Sequence, residues 1–423
     1  MLGSISESYR DLRHAPNFSE VDYPLIWVIL AILAFGLVMV YSASIVLAEQ
    51  RAQTRQQMVQ AEQEAAMLST MTGEAIEAAS VEKERGWDIL SYLARHTISI
   101  GLGLAAASVV VMIPMGFWQK MAPHLFIFGV CLLILVLVPF IGHHVNGARR
   151  WINLGITNFQ PSEFVKLFVI FYAADYTVRK AALMNRIREG FLPMALVMLI
   201  TGLLLLLEPD FGAFFVIICI AFGILFLGGM NLKLFVGLFA IVVTSLTAII
   251  AFSPYRRDRI IGFLDPFKDE FGKGYQLSHA LIAFGRGEIG GVGLGASIEK
   301  RFYLPEAHTD FLLAVIAEEL GFIGVIFTIG LFACLTIRAF GIGRQAIALE
   351  RYFSGLVAQG IGLWISVQAI ISMGVNMGLL PTKGLTLPLM SYGGTGIIAN
   401  CIALAVLLRV DYENRRLMRG AKA

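Results

Sequence analysis

The chain has 423 residues, of which 57% are hydrophobic and only 15% are charged, and its mean hydropathy is +0.74. A typical soluble domain carries about 25% charged residues, so this composition excludes an ordinary soluble protein. The formal net charge of +3 is small and unlike that of a nucleic-acid-binding domain, so we expect no nucleic-acid partner.

Long uncharged segments account for the hydrophobic excess. Eight stretches contain no Asp, Glu, Lys or Arg: 25–48, 97–119, 121–148, 190–207, 211–232, 234–255, 352–382 and 384–408. Two further apolar stretches, at 160–178 and 309–337, carry a few charges. Because about 18 apolar residues suffice to cross a membrane as a helix, the sequence predicts an all-α polytopic membrane protein with about ten transmembrane helices. We expect a single membrane domain, 1–423, with a large loop between helices seven and eight.

The distribution of basic residues predicts the orientation of these helices. Short connections and termini on one side of the predicted membrane hold 16 Lys and Arg residues, against 3 on the other side. Since basic residues in short loops mark the cytoplasmic side, we expect the N-terminus, 1–24, and the C-terminal tail, 410–423, to be cytoplasmic. The segments that then face outward are 48–96, 142–159, 254–308 and 381–388.

The first outward segment, 48–96, lacks proline and contains eight acidic and five basic residues. This composition is typical of a helical excursion. Two interpretations stay open: a solvated helix pair without chemistry, and a docking surface for a partner protein.

The next outward segment places Arg149 and Arg150 beside Trp151 at a membrane boundary. Arginine and tryptophan are common interfacial anchors. Arginine also binds phosphate through paired hydrogen bonds. The bare sequence favours neither interpretation.

The fourth predicted helix begins near Pro161, a residue that favours the first turn of a helix. Glu163 and Lys166 are three residues apart and therefore share a helix face. Ionisable residues within a membrane helix usually face the bundle interior and are paired. We predict an ion pair, which is either structural or shapes a polar cavity; the two roles are compatible.

The outward segment 254–308 is rich in glycine, and loops of this length are more often functional than filler. It ends at Asp310, at the mouth of the eighth helix. Aspartate is a common helix cap, and spacing alone favours a cap over a catalytic group. Glu318 and Glu319 lie deeper, and at least one of them must face a polar interior because carboxylates are not left in lipid.

The last outward connection contains Lys383, a lone cation, followed by the run Ser391-Tyr392-Gly393-Gly394 at the tenth helix. This run breaks the helix, and broken helices within a membrane bundle tend to line binding cavities.

Together these segments resemble the SEDS family of FtsW, RodA and SpoVE proteins, from about residue 21 to 418. Six motifs in the family's order carry the resemblance: Val40-Tyr41-Ser42-Ala43-Ser44, Gly147-Ala148-Arg149-Arg150-Trp151, Gln160-Pro161-Ser162-Glu163, Leu304-Pro305-Glu306-Ala307-His308-Thr309-Asp310-Phe311, Ala317-Glu318-Glu319-Leu320-Gly321, and Pro381-Thr382-Lys383-Gly384 through Ser391-Tyr392-Gly393-Gly394. The lysine at 383 is typical of the cell-division branch, FtsW, rather than the elongation branch.

The resemblance implies an inner-membrane peptidoglycan glycosyltransferase that polymerises lipid II beside a class B penicillin-binding protein, with other divisome membrane proteins, at the division septum. It implies that Asp310 is the essential aspartate, and that Glu163 and Lys166 are the family's helix-four pair. An inverting reaction then uses Asp310 as general base and outward groups that bind the pyrophosphate and head group. These groups are Arg149, Arg150, Lys300, Arg301, His308, Lys383 and Ser391.

No cofactor is certain. A divalent cation, Mg²⁺ or Mn²⁺, is compatible with a pyrophosphate substrate, but no metal-ligand cluster stands out in the sequence. The chain departs from the family in its long first loop, in Glu299 where glutamine is usual, and in Thr395-Gly396 where two serines are usual. A lipid II flippase and a non-catalytic septal scaffold are the alternatives. The concentration of polar motifs at the outward ends of the helices favours an enzyme.

Overall fold

A computed structural model describes residues 21–45, 91–145, 148–153, 158–184, 186–252, 262–268, 272, 274–301, 303–382 and 384–419. The residues outside this description include 1–20 of the predicted N-terminal segment, 48–90 of the predicted outward segment 48–96, 420–423 of the predicted C-terminal tail, and Lys383.

The described chain is predominantly helical. Its main helices are α1 Tyr23–Ile45, α2 Ser91–Val110, α3 Met115–Leu137, α4 Pro161–Arg179, α5 Leu192–Leu207, α6 Phe211–Leu227, α7 Leu232–Ala251, α8 Tyr275–Gly287, α9 Leu312–Ala348, α10 Tyr352–Asn376 and α11 Gly394–Met418. Seven helices of the described chain are long and apolar enough to cross a membrane. Each predicted span contains one helix, which confirms the helical membrane fold; α8 is additional and lies within the predicted loop between spans seven and eight.

The connection between α3 and α4 contains a small antiparallel sheet, which the prediction of an all-helical chain did not include. Its strands are β1 Gly142–Val145, β2 Ala148–Asn153 and β3 Asn158–Phe159, in the order β1-β2-β3. Gly142 pairs with Ile152, and Ile152 pairs with Phe159. The sheet places β2 beside the first turn of α4, at the end of the bundle that carries the site described below.

Helix α9 is broken at Gly321, which adopts φ 67° and ψ −162°. Only glycine adopts such a conformation readily. The backbone groups freed by the break pair with the segment after α8. The amide of Val292 donates to the carbonyl of Glu318 at 2.9 Å, and the amide of Phe322 donates to the carbonyl of Glu288 at 2.9 Å. These backbone groups therefore stay hydrogen-bonded in spite of the break, as buried groups within a membrane must.

The same break brings Glu318 and Glu319 into a polar interior. Glu318 accepts from the amide of Ile298 at 2.9 Å and from the hydroxyl of Ser297. Glu319 accepts from the hydroxyl of Ser42 at 2.7 Å. Both side chains are fully buried. These bonds fix the segment that leads from α8 to Asp310 against the helices.

Candidate functional site

A polar cavity of about 670 Å³ opens at the end of the bundle that carries the sheet. It lies where the first turns of α2, α4, α6 and α11 meet β2 and the connections before α9 and α11. The polar and charged side chains that line it are Arg95, Ser99, Arg150, Asn153, Asn158, Gln160, Glu163, Asp210, Glu306, His308, Thr309, Asp310, Thr386 and Tyr392. The glycines Gly384, Gly393, Gly394 and Gly396 also line it, so the connection before α11 presents main-chain atoms to the cavity.

Asp310 lies in the wall of this cavity and does not cap α9. The residue that precedes the helix is Phe311, and it makes no side-chain capping bond. The first-turn amide of Ala314 donates instead to the side chain of Asn376, at 3.1 Å. No described residue donates a hydrogen bond to the Asp310 carboxylate. The alternative that spacing favoured, a structural cap, therefore does not account for Asp310.

The surroundings of Asp310 raise the pKa of its carboxyl group from 3.8 to about 7. Burial is the largest cause, the negative charge of Glu306 adds to it, and the positive charge of Arg150 opposes it. Asp310 as a residue is half-buried, and it lines the cavity. Near neutral pH a carboxylate of this kind can accept a proton and hold it, which suits a general base.

Arg150 lines the cavity, and its guanidinium group also fastens the turn between α5 and α6. Its Nε donates to the carbonyl of Glu208 at 3.3 Å, and its Nη2 donates to the carbonyl of Pro209. Arg149, the preceding residue of β2, pairs with His144 beside an irregularity in the register between β1 and β2. Arg149 is absent from the cavity wall. Of the two arginines predicted to bind substrate, Arg150 is the one that lines the cavity.

Glu163 and Lys166 form an ion pair of 2.8 Å beside the cavity. The Lys166 side chain is fully buried, and its ammonium group also donates to the side chain of Gln368 at 2.8 Å. Glu163 uses Oε1 for this pair and lines the cavity; its buried Oε2 has no hydrogen-bond partner among the described residues. Gln368 therefore holds the Lys166 end of the pair, and the Glu163 end lies in the cavity wall.

Two other predicted substrate-binding residues lie away from the cavity. The ammonium group of Lys300 pairs with Glu319 at 2.6 Å, and its side chain is almost fully buried. Glu319 neutralises the charge of Lys300, so the prediction that Lys300 binds substrate rests on the sequence alone. Arg301 is exposed but does not line the cavity.

The remaining predicted groups lie close to the cavity or outside the described residues. His308 lines the cavity, and its ring packs edge-on against Tyr92 at 5.2 Å. Ser391 is buried, and its hydroxyl accepts from the amide of Leu387 at 3.0 Å, so it shapes the turn before α11. Lys383 is among the residues that the structure does not describe.

Three charged residues of the cavity were missed by sequence reasoning. Asp210 caps α6 through the amide of Ala213, at 3.1 Å, and accepts from the hydroxyl of Ser162 at 3.0 Å. Glu306 accepts from the hydroxyl of Thr309 at 2.8 Å. Arg95 is an exposed residue in the first turns of α2. Sequence signals for two of these residues exist. Arg95 is an arginine at the end of an apolar helix, and Asp210 follows a proline at a position that favours a helix cap.

Glu208 lies beside the cavity and is fully buried, and neither of its carboxyl oxygens has a hydrogen-bond partner among the described residues. Burial raises its pKa to about 9; the charge of Asp210 adds to this and the charge of Arg150 opposes it. This shift favours the neutral form of Glu208 at physiological pH. The carboxyl side chains that line the cavity belong to Glu163, Asp210, Glu306 and Asp310. Among the described residues, no cluster of three or more His, Cys, Asp or Glu side chains forms a metal site.

The chain matches the family model for cell cycle proteins of the FtsW, RodA and SpoVE type over residues 75–416. It is 57% identical to the probable peptidoglycan glycosyltransferase FtsW of Aromatoleum aromaticum, over 98% of this chain and 93% of the relative. It is 54% identical to the protein of the same name from Burkholderia thailandensis, over 100% of this chain and 84% of the relative.

Solved structures show the same fold. A chain of a peptidoglycan synthase complex, studied for its structural coordination of polymerization and crosslinking, matches with a TM-score of 0.68 at 29% identity, over 93% of this chain and 98% of that chain. The rod shape determining protein RodA of Thermus thermophilus matches with a TM-score of 0.61 at 26% identity, over 94% of this chain and 99% of that chain. The chain belongs to the FtsW, RodA and SpoVE family of cell cycle proteins.

Proposed function

We propose that this protein is a peptidoglycan glycosyltransferase that polymerises lipid II into glycan strands during cell division. The observation that carries the proposal is Asp310, a carboxylate in the wall of a polar cavity that is free of the capping role its position suggested. The names of the relatives from Aromatoleum and Burkholderia support the same activity.

In the proposed reaction, a sugar hydroxyl of the acceptor attacks the anomeric carbon of the donor. The bond between that carbon and the pyrophosphate oxygen breaks, and the hydroxyl proton passes to Asp310. A single displacement inverts the configuration, so an α-linked donor yields a β-linked glycan. A carboxyl pKa of about 7 suits this step, because general base catalysis is most efficient when the pKa lies near the working pH.

The leaving pyrophosphate needs positive charge, and the described cavity supplies it through Arg95 and Arg150. Both line the cavity wall, but two donor groups of Arg150 already bind backbone carbonyls. Arg95 makes no described ion pair, so its guanidinium group is available for a phosphate. We retain Lys383 as a third cation on the strength of its sequence position. A divalent cation held largely by the pyrophosphate itself is compatible with this arrangement.

We propose that the whole chain, 1–423, is one membrane domain of the inner membrane, with both termini in the cytoplasm and the cavity facing outward at the division septum. The asymmetry of 16 against 3 basic residues supports this orientation. A lipid-linked sugar that carries its own pyrophosphate needs no cytoplasmic nucleotide, so an outward cavity is compatible with the chemistry. A reporter fused after residue 423 is expected to be cytoplasmic, and an external reporter would contradict the orientation.

We further propose that a class B penicillin-binding protein of the FtsI type crosslinks the product strands beside this protein, together with other divisome membrane proteins. The similarity to a chain of a peptidoglycan synthase complex supports such a partnership. The segment 48–96 is our candidate for a partner contact.

A lipid II flippase and a non-catalytic septal scaffold are the rival functions. A flippase needs polar groups along a path through both leaflets, whereas the charged residues of the cavity lie at one end of the helices that carry them. Purified protein with lipid II, with and without the crosslinking partner, separates the three functions. We expect glycan polymer; transbilayer movement of lipid II without polymer supports the flippase, and neither product supports the scaffold.

A further inference from the structure

The side-chain amide of Gln368, in α10, joins the Glu163–Lys166 ion pair to the connection that precedes α11. Its Oε1 accepts from the ammonium group of Lys166 at 2.8 Å and from the indole nitrogen of Trp364 at 2.8 Å. Its Nε2 donates to the main-chain carbonyl of Thr386 at 3.0 Å. Gln368, Lys166 and Trp364 are all essentially inaccessible to solvent. The hydrogen bonds are therefore made where water cannot replace them.

The connection held by Gln368 lies directly against Asp310. A Cβ atom placed on Gly384, two residues before Thr386, would lie 3.2 Å from the Oδ2 atom of Asp310. Gly384 and Thr386 both line the cavity. A displacement of this connection therefore changes the space and the water beside the Asp310 carboxylate.

We propose that Gln368 is a positioning residue that transmits the geometry of the Glu163–Lys166 pair to Asp310 through Thr386 and Gly384. The inference rests on the proposed role of Asp310 as the general base. Gln368 does not line the cavity; it acts through the connection that it holds.

The chemistry of the amide explains why glutamine suits this position. An amide offers an acceptor and a donor on one rigid group, and both are needed here. An ammonium group and an indole nitrogen require the acceptor, and a carbonyl requires the donor. A glutamate retains the acceptors but has no donor for Thr386, and a methionine of similar shape has neither.

The test compares Gln368→Met and Gln368→Glu with Gln359→Met in the same helix. Gln359 is a matched control because it is also buried, and its Oε1 atom has no hydrogen-bond partner among the described residues. Two quantities are measured on the full-length protein in detergent or nanodiscs: amide hydrogen exchange in segment 377–393, and the pH at which lipid II polymerisation reaches half of its maximal rate. The first measurement does not depend on catalysis.

We expect both Gln368 variants to raise exchange in this segment by about tenfold, which is the effect of losing a buried hydrogen bond. In Gln368→Met, water then enters beside Asp310 and lowers its pKa, so the half-maximal rate moves to lower pH by about half a unit or more. Gln368→Glu adds a carboxylate that acts on Asp310 in the opposite direction, so this variant serves the exchange measurement alone. Gln359→Met is expected to change neither quantity. If Gln368→Met fails to insert, Gln368→Leu, which also lacks both the acceptor and the donor, replaces it in both measurements.

Two outcomes would overturn the inference. Unchanged exchange in segment 377–393 would show that Gln368 does not hold the connection. Raised exchange with an unchanged pH profile would show that the connection does not govern Asp310. An Asp310→Asn protein that still polymerises lipid II is a different result, since it removes the proposed function and leaves the exchange measurement intact.

Discussion

The side-chain amide of Asn376, in α10, donates to the main-chain carbonyl of Asp310 at 2.8 Å. Its oxygen accepts from the amide of Ala314 in the first turn of α9. Asn376, in the neighbouring helix α10, thus caps α9. The position of Asp310 in the sequence had suggested that Asp310 would have this role. The Asp310 carboxylate is left facing the cavity, and its backbone is fixed by α10.

We expect Asn376→Ala to destabilise the protein by about 1–3 kcal/mol, because it leaves buried polar groups unpaired. It should also lower the polymerisation rate, because Asp310 loses its anchor. Thermal unfolding in detergent and the rate with saturating lipid II measure the two effects. Asn414→Ala is the control, since Asn414 is also buried in a helix and donates to a carbonyl, that of Ile342, at 3.1 Å. Equal rate losses in both variants would contradict the anchoring role.

The pH dependence of the rate tests the electrostatics of Asp310. A base must be deprotonated, so the rate should rise with pH and reach half of its maximum near pH 7. The charge of Glu306 raises the pKa of Asp310, so Glu306→Gln should move this midpoint to lower pH. The glutamine still offers an acceptor to Thr309, which keeps the local structure. A midpoint that stays in place would show that Glu306 does not act on the titrating group.

The Glu163–Lys166 pair is expected to show strong coupling in a double-mutant cycle. Removing one partner leaves an uncompensated buried charge, which typically costs about 3–5 kcal/mol. We therefore expect Glu163→Gln and Lys166→Met each to destabilise the protein more than the double variant does. Chemical unfolding in detergent measures the three values. Losses that simply add would mean that the two side chains do not interact.

The structure separates the two neighbouring arginines of β2. Arg150→Ala should weaken lipid II binding by roughly tenfold, which corresponds to the loss of a charged hydrogen-bonding group. Arg150→Lys should not restore it, because lysine lacks the planar fork that spans two carbonyls. Arg149→Ala should bind normally. The affinity of the purified variants for lipid II measures this difference. A larger loss of affinity in Arg149→Ala than in Arg150→Ala would show that Arg149 is the arginine that binds substrate.

The helical spans were predictable because length and lack of charge nearly suffice to specify a membrane helix. The ion pair of Glu163 and Lys166 followed from helical spacing and from the cost of unpaired charge in a membrane. The sheet was missed although Asn146-Gly147 is a strong hairpin signal in sequence. Hydropathy does not distinguish such a short sheet from the apolar ends of the flanking helices.

Other features depend on contacts between distant segments. Lys300 and Glu319 are close because α9 breaks at Gly321 and the segment after α8 fills the gap, and no local pattern shows such a break. The contact between Asn376 and Asp310 joins residues 66 positions apart. The sequence around Asp310 therefore predicts a helix cap. The position of α10 shows that Asn376 is the cap instead.

The proposal that Asp310 is the general base is tested most directly by polymerisation of lipid II with Asp310→Asn protein. Asparagine keeps the shape of the side chain but cannot accept a proton as a base. Loss of general base catalysis typically lowers a rate by about 10²–10⁴-fold. We predict that the variant inserts, unfolds at a temperature no lower than that of the wild type and binds lipid II, but makes essentially no glycan polymer. Polymerisation by Asp310→Asn at a rate close to that of the wild type would contradict the account.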